Sequence, residues 1–187
     1  MKISELLQRI DYMVLQGNLS DEVTGICHDN RMIQEGDAFI CISGARFDTH
    51  TMAKELAKKA ALLVVEKPVE LEDGCKTAVV QVASTRDIVA ALAAAFYGYP
   101  SEKVVCIGIT GSKGKTTCTH MMADILRASG YLTGTIGTIG AIMPAGCDHA
   151  VWGSDKYSCA PCNETPGYDC YELNNTTPDP MELQMYL

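Results

Sequence analysis

Apolar and polar residues change their spacing several times along this chain, and each change predicts an element. Helical spacing of the apolar positions predicts helices over residues 3–10 and 51–60, while short apolar or β-branched runs at 38–42, 61–65 and 77–82, set between turn-forming residues, predict strands. Ser84-Thr85-Arg86-Asp87 reads as a capping-box-like start to an alanine-rich helix running to about Phe96, which Gly98-Tyr99-Pro100 stops. A domain boundary at about 99–102 follows. Beyond it, 103–109 reads as a buried strand, 110–114 as a glycine-rich turn, and the stretch from Thr116 to about Ser129 as a helix with Gly130 at its C′ position. The apolar stretch 131–142 is expected beside the first strand, so that the turn lies at the carboxyl ends of a parallel sheet. A further helix is predicted over 180–187. The pattern is α/β: a small domain at 1–99, then the opening of a parallel-sheet domain at 102–187 that needs more strands to close, so the chain reads as a piece of something longer.

The turn carries the clearest chemistry. After the run Val104-Val105-Cys106-Ile107-Gly108-Ile109 come Thr110, Gly111, Ser112, Lys113, Gly114, Lys115, Thr116 and Thr117. Glycines let backbone N–H groups approach an anion, Lys115 adds a positive charge at the start of a helix, and Thr116 offers a hydroxyl to Mg²⁺. The common phosphate-loop spacing G-x-x-x-x-G-K-[ST] fails by one residue, because its first glycine falls on Ile109. Thr110 and Thr117 are secondary candidates for phosphate or metal, and Lys113 either touches phosphate or is simply solvated.

Charge narrows the partners. The formal net charge is −8, and residues 144–187 hold seven acidic side chains against the single basic Lys156, leaving a nearly neutral body. That suits a small phosphorylated ligand and carries no basic stripe of the kind nucleic acid requires. No run of eighteen apolar residues exists and the start at Met1-Lys2-Ile3-Ser4-Glu5 is amphipathic, so a membrane span or signal peptide is not expected and the cytoplasm is the expected location.

Of the nine cysteines, Cys41, Cys106 and Cys118 lie in apolar segments and read as core. Cys147, Cys159, Cys162 and Cys170 instead cluster in a polar stretch at about 144–173, spaced C-x₁₁-C-x₂-C-x₇-C with His149 nearby. An acidic loop of reduced thiols, a structural zinc site built on the C-x₂-C pair, and disulfides are the three readings.

The pattern G-[IV]-T-G-x-x-G-K-T-T resembles the ATP-binding loop of the Mur ligases, which build the peptide stem of bacterial cell-wall precursors. Asn175-Thr176-Thr177-Pro178-Asp179-Pro180-Met181-Glu182-Leu183-Gln184 resembles a substrate-binding segment of the branch that adds the third stem residue, and it follows the loop by some sixty residues. Taken alone that segment is a turn; beside the loop, Asn175, Thr176 and Thr177 become substrate-binding candidates through their hydroxyls and amide. In the first domain Cys27-His28-Asp29-Asn30-Arg31 resembles a D-S-R segment with Asn30 in place of Ser, and 43–50 resembles a G-x-x-x-D-[GS]-[HR] loop bordering the uridine diphosphate. The resemblance thus implies substrate contacts at His28, Asn30, Ala45, Arg46 and Phe47, with Arg46 suited to diphosphate and Phe47 to uracil. Read from residue type alone, an exposed Arg and a core Phe serve equally well.

What the resemblance implies is a uridine-diphosphate-binding domain followed by the beginning of a P-loop-type ATPase domain. Its activity would be ATP- and Mg²⁺-dependent amide ligation of a diamino acid, meso-diaminopimelate or lysine, to UDP-MurNAc-L-Ala-D-Glu, by a monomer in which Lys115 is catalytic. The 187 residues alone lack the parts of the family that hold Mg²⁺ and the amino acid, so they are expected to be inactive. The alternatives are a noncatalytic nucleotide- or metal-binding module, and another Mur-type or folylpolyglutamate-type ligase.

Overall fold

The computed structural model describes residues 1–44, 47–145, 167–171, 173 and 178–187. The chain divides into two compact units, Met1–Pro100 and Ser101–Leu187.

The first unit is a five-stranded sheet with β1 (Met13–Gln16), β2 (Gly25–Cys27), β3 (Asp37–Ile40), β4 (Leu62–Val65) and β5 (Ala78–Gln81) in the order β1-β5-β4-β3-β2. Strands β2 to β5 run parallel, and β1 is an antiparallel edge on β5. Every residue of β3 and β4 is buried; apart from Asp37 at the start of β3 both are apolar, as strands covered on both faces should be. Phe39, Cys41, Leu63, Val65 and Val79 share one face and pack with Ala53, Leu56, Ala57 and Ala60 of helix α2 (Ala53–Leu56) and the turn after it. The pleat turns Ile40, Leu62, Val64 and Val80, all fully buried, to the opposite face. Helix α3 (Thr85–Phe96) contacts β2 and the one-turn helix α1 (Ile3–Leu6). It ends through positive φ at Gly98 and Tyr99, where the Tyr99 ring is stacked by the Arg9 guanidinium at 3.8 Å.

Two predicted helices are shorter than their apolar spacing suggests. After Leu6 the chain tightens into three-residue turns, Gln8 N–H bonding Glu5 O and Ile10 N–H bonding Leu7 O. The 51–60 segment begins as a 3₁₀ turn, Thr49–Met52, capped by the Asp48 side chain, before α2 forms. Gly17 sits at φ +88° with Ala78 Cα only 2.5 Å from where a Cβ would lie, so the edge strand can leave β5 only through glycine.

The second unit holds α4 (Lys115–Ala128), the antiparallel sheet β6 (Thr135–Gly137), β7 (Gly140–Pro144) and β8 (Tyr168–Tyr171), and α5 (Pro180–Tyr186). Here the expected parallel pair is not formed. The stretch 131–142 folds back on itself, Thr135 opposite Ile142 and Gly137 opposite Gly140, around the two-residue turn Thr138-Ile139. A hairpin satisfies its hydrogen bonds locally, which leaves 103–109 with no neighbouring strand among the described residues; Val105 is 90% exposed and Cys106 is exposed, so neither is core here. Cys118 on α4 is exposed as well. Tyr171 and Tyr186, with ring centroids 5.9 Å apart, close a small core with Ala141 and Met143. Arg127 fastens α4, donating to Thr133 O at 2.9 and 3.1 Å and lying 4.4 Å from the Tyr168 ring centre.

No described helix is long and apolar enough to cross a membrane. Cys147, Cys159, Cys162 and His149 lie outside the described residues. Cys170 is buried in β8 and disulfide-bonded, which corrects its place in the zinc and reduced-thiol readings: a sulfur in a disulfide has no thiolate to give a metal. Burial pushes the Cys27 thiol up to about 11 and that of Cys41 up to about 12, so both stay protonated at neutral pH. Iodoacetamide at pH 8 is therefore expected to label Cys106 and Cys118 and to spare Cys27 and Cys41 in the native chain. Peptide mapping checks this, and equal labelling of Cys41 would contradict the buried sheet.

Candidate functional site

In the first unit the carboxyl ends of four adjacent parallel strands open on one edge, where ligands of open α/β sheets bind. His28 and Asn30 follow β2, Phe47 and Asp48 follow β3, Glu66 and Lys67 follow β4, and Thr85 and Arg86 follow β5. His28 and Asn30 are half-buried, and Asn30 Nδ2 lies 3.7 Å from Met52 Sδ. The Phe47 ring is 52% exposed, which removes the core reading of that residue. Ala45 and Arg46 lie outside the described residues.

Polar groups that residue spacing did not single out tie these loops together. Lys67 Nζ lies 2.5 Å from Asp48 Oδ2, and Asp48 Oδ1 lies 2.6 Å from Nδ1 of the buried His50. His50 Nε2 in turn accepts from Glu66 N–H at 3.0 Å. Glu66 Oε1 accepts from both the N–H and the hydroxyl of Thr85, and Arg86 Nη2 donates to Ser43 O at 2.9 Å. A cleft of about 370 Å³ adjoins them, lined by His50, Thr51, Lys54, Lys67 and Val69 among others. The available signal was positional: Glu66 and Lys67 stand directly after the apolar run of β4, and Arg86 in the first turn of α3.

Three carboxylates on this edge are held low. The Arg31 side-chain hydrogen bond brings the Asp29 carboxyl down to about 2, the Lys67 ammonium holds Asp48 well below the usual carboxylate range, and the Thr85 N–H lowers Glu66. Asp37, buried at the far end of β3, is raised by burial and works the other way. A carboxyl whose folded value is depressed stabilises the fold above its unfolded value near 4, and loses that contribution as the pH falls through the folded value. The melting temperature is therefore expected to hold from pH 7 to about 5 and to fall between about pH 4 and 2. Asp29→Asn should flatten that fall, and circular-dichroism melts showing the same slope in both proteins would contradict the assignment.

In the second unit the glycine-rich turn 110–114 is formed without the strand expected before it. Gly114 caps α4 at φ +77° and Gly111 lies at φ +154°, both in the region that favours glycine. The first N–H groups of this fourteen-residue helix have no side-chain cap, and a Cβ on Gly114 would meet nothing within 4 Å, so the mouth is open. Lys115 Nζ folds back to Gly111 O at 2.6 Å, which places its ammonium over the loop. Thr110, Ser112, Lys113 and Thr117 are exposed around it and Thr116 is half-buried. The arrangement fits a phosphate group: free N–H donors, an exposed cation and room for oxygens. Asn175, Thr176 and Thr177 lie outside the described residues. The segment after them starts α5, because Asp179 accepts from Met181 and Glu182 N–H while Glu182 Oε2 accepts from Asp179 N–H.

Comparison with known proteins agrees with both units. Residues 109–187 match the family model described as "Mur ligase middle domain", and residues 22–97 match "Mur ligase family, catalytic domain". The chain is 36% identical over 185 residues to the UDP-N-acetylmuramoyl-L-alanyl-D-glutamate--2,6-diaminopimelate ligase of Bacillus cereus, covering 98% of this chain and 32% of that protein. It is 37% identical over 188 residues to a second such ligase of Clostridium acetobutylicum, with 100% and 35% covered. A solved structure of the UDP-N-acetylmuramoylalanyl-D-glutamyl-2,6-diaminopimelate--D-alanyl-D-alanyl ligase of Acinetobacter baumannii superposes with a TM-score of 0.53 at 28% identity, covering 68% of this chain and 28% of that one. The chain thus spans about a third of the length of these curated relatives. With both family models matched in chain order, the chain belongs to the Mur ligase family and carries sequence of its N-terminal and middle domains.

Proposed function

We propose that this chain supplies the nucleotide-sugar-binding unit and the ATP phosphate loop of an ATP-dependent ligase that adds 2,6-diaminopimelate to UDP-MurNAc-L-Ala-D-Glu in the cytoplasm. The observation that carries the reading is the α4 terminus, where Gly114 and Lys115 present uncapped N–H groups and an ammonium to one point. The names of the Bacillus and Clostridium relatives support diaminopimelate over lysine as the amine.

In this reaction the γ-phosphoryl group passes from ATP to the D-Glu carboxylate, leaving ADP, and the amine then attacks the acyl carbon and expels phosphate. Lys115 and the loop amides stabilise the charge on the transferring group, with Thr110, Gly111, Ser112 and Thr117 around it. Lys115 must leave Gly111 O to do so. Thr116 would give one oxygen to Mg²⁺, which neutralises phosphate charge when bound. Asn175, Thr176 and Thr177 bind the muramoyl dipeptide, and His28, Asn30, Ala45, Arg46 and Phe47 the uridine diphosphate.

Titration calorimetry of the chain with UDP-MurNAc-L-Ala-D-Glu is expected to show saturable binding that UDP weakens by competition. Absence of heat and of any melting shift at millimolar ligand would overturn the nucleotide-sugar reading.

A further inference from the structure

Two cations from neighbouring strands grip the backbone that leaves β3. Lys67, just past β4, reaches Asp48 Oδ2 at 2.5 Å, and Arg86, in the first turn of α3, donates to Ser43 O at 2.9 Å. Between those two points Ser43 pairs with Asp48 as an isolated bridge, and Gly44 N–H donates to Phe47 O at 2.8 Å. The circuit closes on the inner side: Asp48 Oδ1 accepts from His50 N–H, and His50 Nε2 accepts from Glu66 N–H, so the hydrogen on His50 is at Nδ1, facing Asp48. Glu66 then ties to Thr85.

We infer that Lys67 and Arg86 are positioning residues for the substrate-binding edge, fixing Ser43 and Phe47 in place before a ligand arrives, Lys67 through the Asp48 carboxylate and Arg86 through the Ser43 carbonyl. The inference rests on the reading of this edge as the uridine-diphosphate site. An isolated surface ion pair contributes little. Here the same carboxylate also serves two donors of buried His50, so withdrawing the ammonium loosens a connected set rather than one contact. Half exposed, the Phe47 ring has no core to hold it, and its place follows from the backbone that the clamp holds. A ring already in place costs less ordering when a base packs on it.

The test uses the full chain with Lys67→Met, Arg86→Met and the conservative Lys67→Arg. Two readouts are taken: amide hydrogen exchange at Gly44 and Glu66 without ligand, and the Kd for UDP-MurNAc-L-Ala-D-Glu. Lys67→Met is expected to speed exchange at both amides about tenfold while leaving the sheet amides of Val64 and Val80 unchanged, and to raise Kd about tenfold. Arg86→Met should speed Gly44 alone and also raise Kd. Lys67→Arg should keep both readouts near the parent values. Unchanged exchange at Gly44 in both methionine variants would overturn the clamp, as would acceleration spread equally over Val64 and Val80, which marks general destabilisation. Faster exchange with an unchanged Kd would overturn its role in binding. A parent chain that fails to bind the nucleotide sugar refutes the proposed function instead, and the exchange pattern still decides the clamp.

Discussion

Phe39→Ala is expected to unfold the first unit or leave it barely folded. Phe39 lies on β3, which has parallel strands on both sides, and is fully buried in the cluster that joins Leu63, Val65 and Val79 to the α2 layer. Truncating a buried Phe removes transfer free energy and leaves a cavity that close-packed neighbours fill only in part, a cost of about 3–5 kcal/mol. A domain of this size has about 5–15 kcal/mol in total. The melting transition of the full chain, followed by far-ultraviolet circular dichroism, should drop by about 15 °C or more or disappear. Met13→Ala, on the exposed edge strand, is the matched control and should shift it by no more than a few degrees. A Phe39→Ala protein melting within a few degrees of the parent would mean that Phe39 is not part of the buried core of the sheet.

The strands at the centre of the first unit were legible because burial on both faces leaves an unbroken apolar run, as at 61–65, or a mostly β-branched one, as at 77–82. Edge strand β1 and the three-residue β2 were not: Met13, Val14 and Leu15 are exposed, and Gly25-Ile26-Cys27 is too short to show a period. The turn Gly98-Tyr99-Pro100 was plain, since glycine and proline act on the backbone locally. In the second unit the apolar run 103–109 reads as a buried strand but forms none, being exposed with no neighbouring strand among the described residues, while 131–142 hid a hairpin whose flanking Gly137 and Gly140 were its only mark. The glycine-rich turn and the helix start after it could be read because their residues are contiguous, Gly111 to Thr117. The opposite holds for Asp48, His50, Glu66, Lys67 and Arg86, whose contacts join three loops that only the parallel order of β3 to β5 brings together.

Lys115→Ala is expected to cut the affinity of the chain for ATP about a hundredfold, and Lys113→Ala by less than about threefold. Both ammonium groups are exposed and lie within three residues, so net charge alone predicts equal losses. Geometry separates them. Lys115 is the first residue of α4, and its Nζ already reaches Gly111 O at 2.6 Å, so a short swing brings it to a phosphate seated on the uncapped N–H groups. A hydrogen bond between charged partners in that setting contributes about 1.5–3 kcal/mol, enough for the larger loss. Breaking the Gly111 contact subtracts a little from it. Lys113 precedes the left-handed Gly114 and lies outside the helix start, where its charge acts only at a distance and is screened by salt. Fluorescent-nucleotide titration with Mg²⁺ at two ionic strengths distinguishes the cases: the Lys113→Ala effect should fade at high salt and that of Lys115→Ala should persist. Equal losses in the two variants, or unchanged binding in Lys115→Ala, would mean that phosphate does not sit at the start of α4.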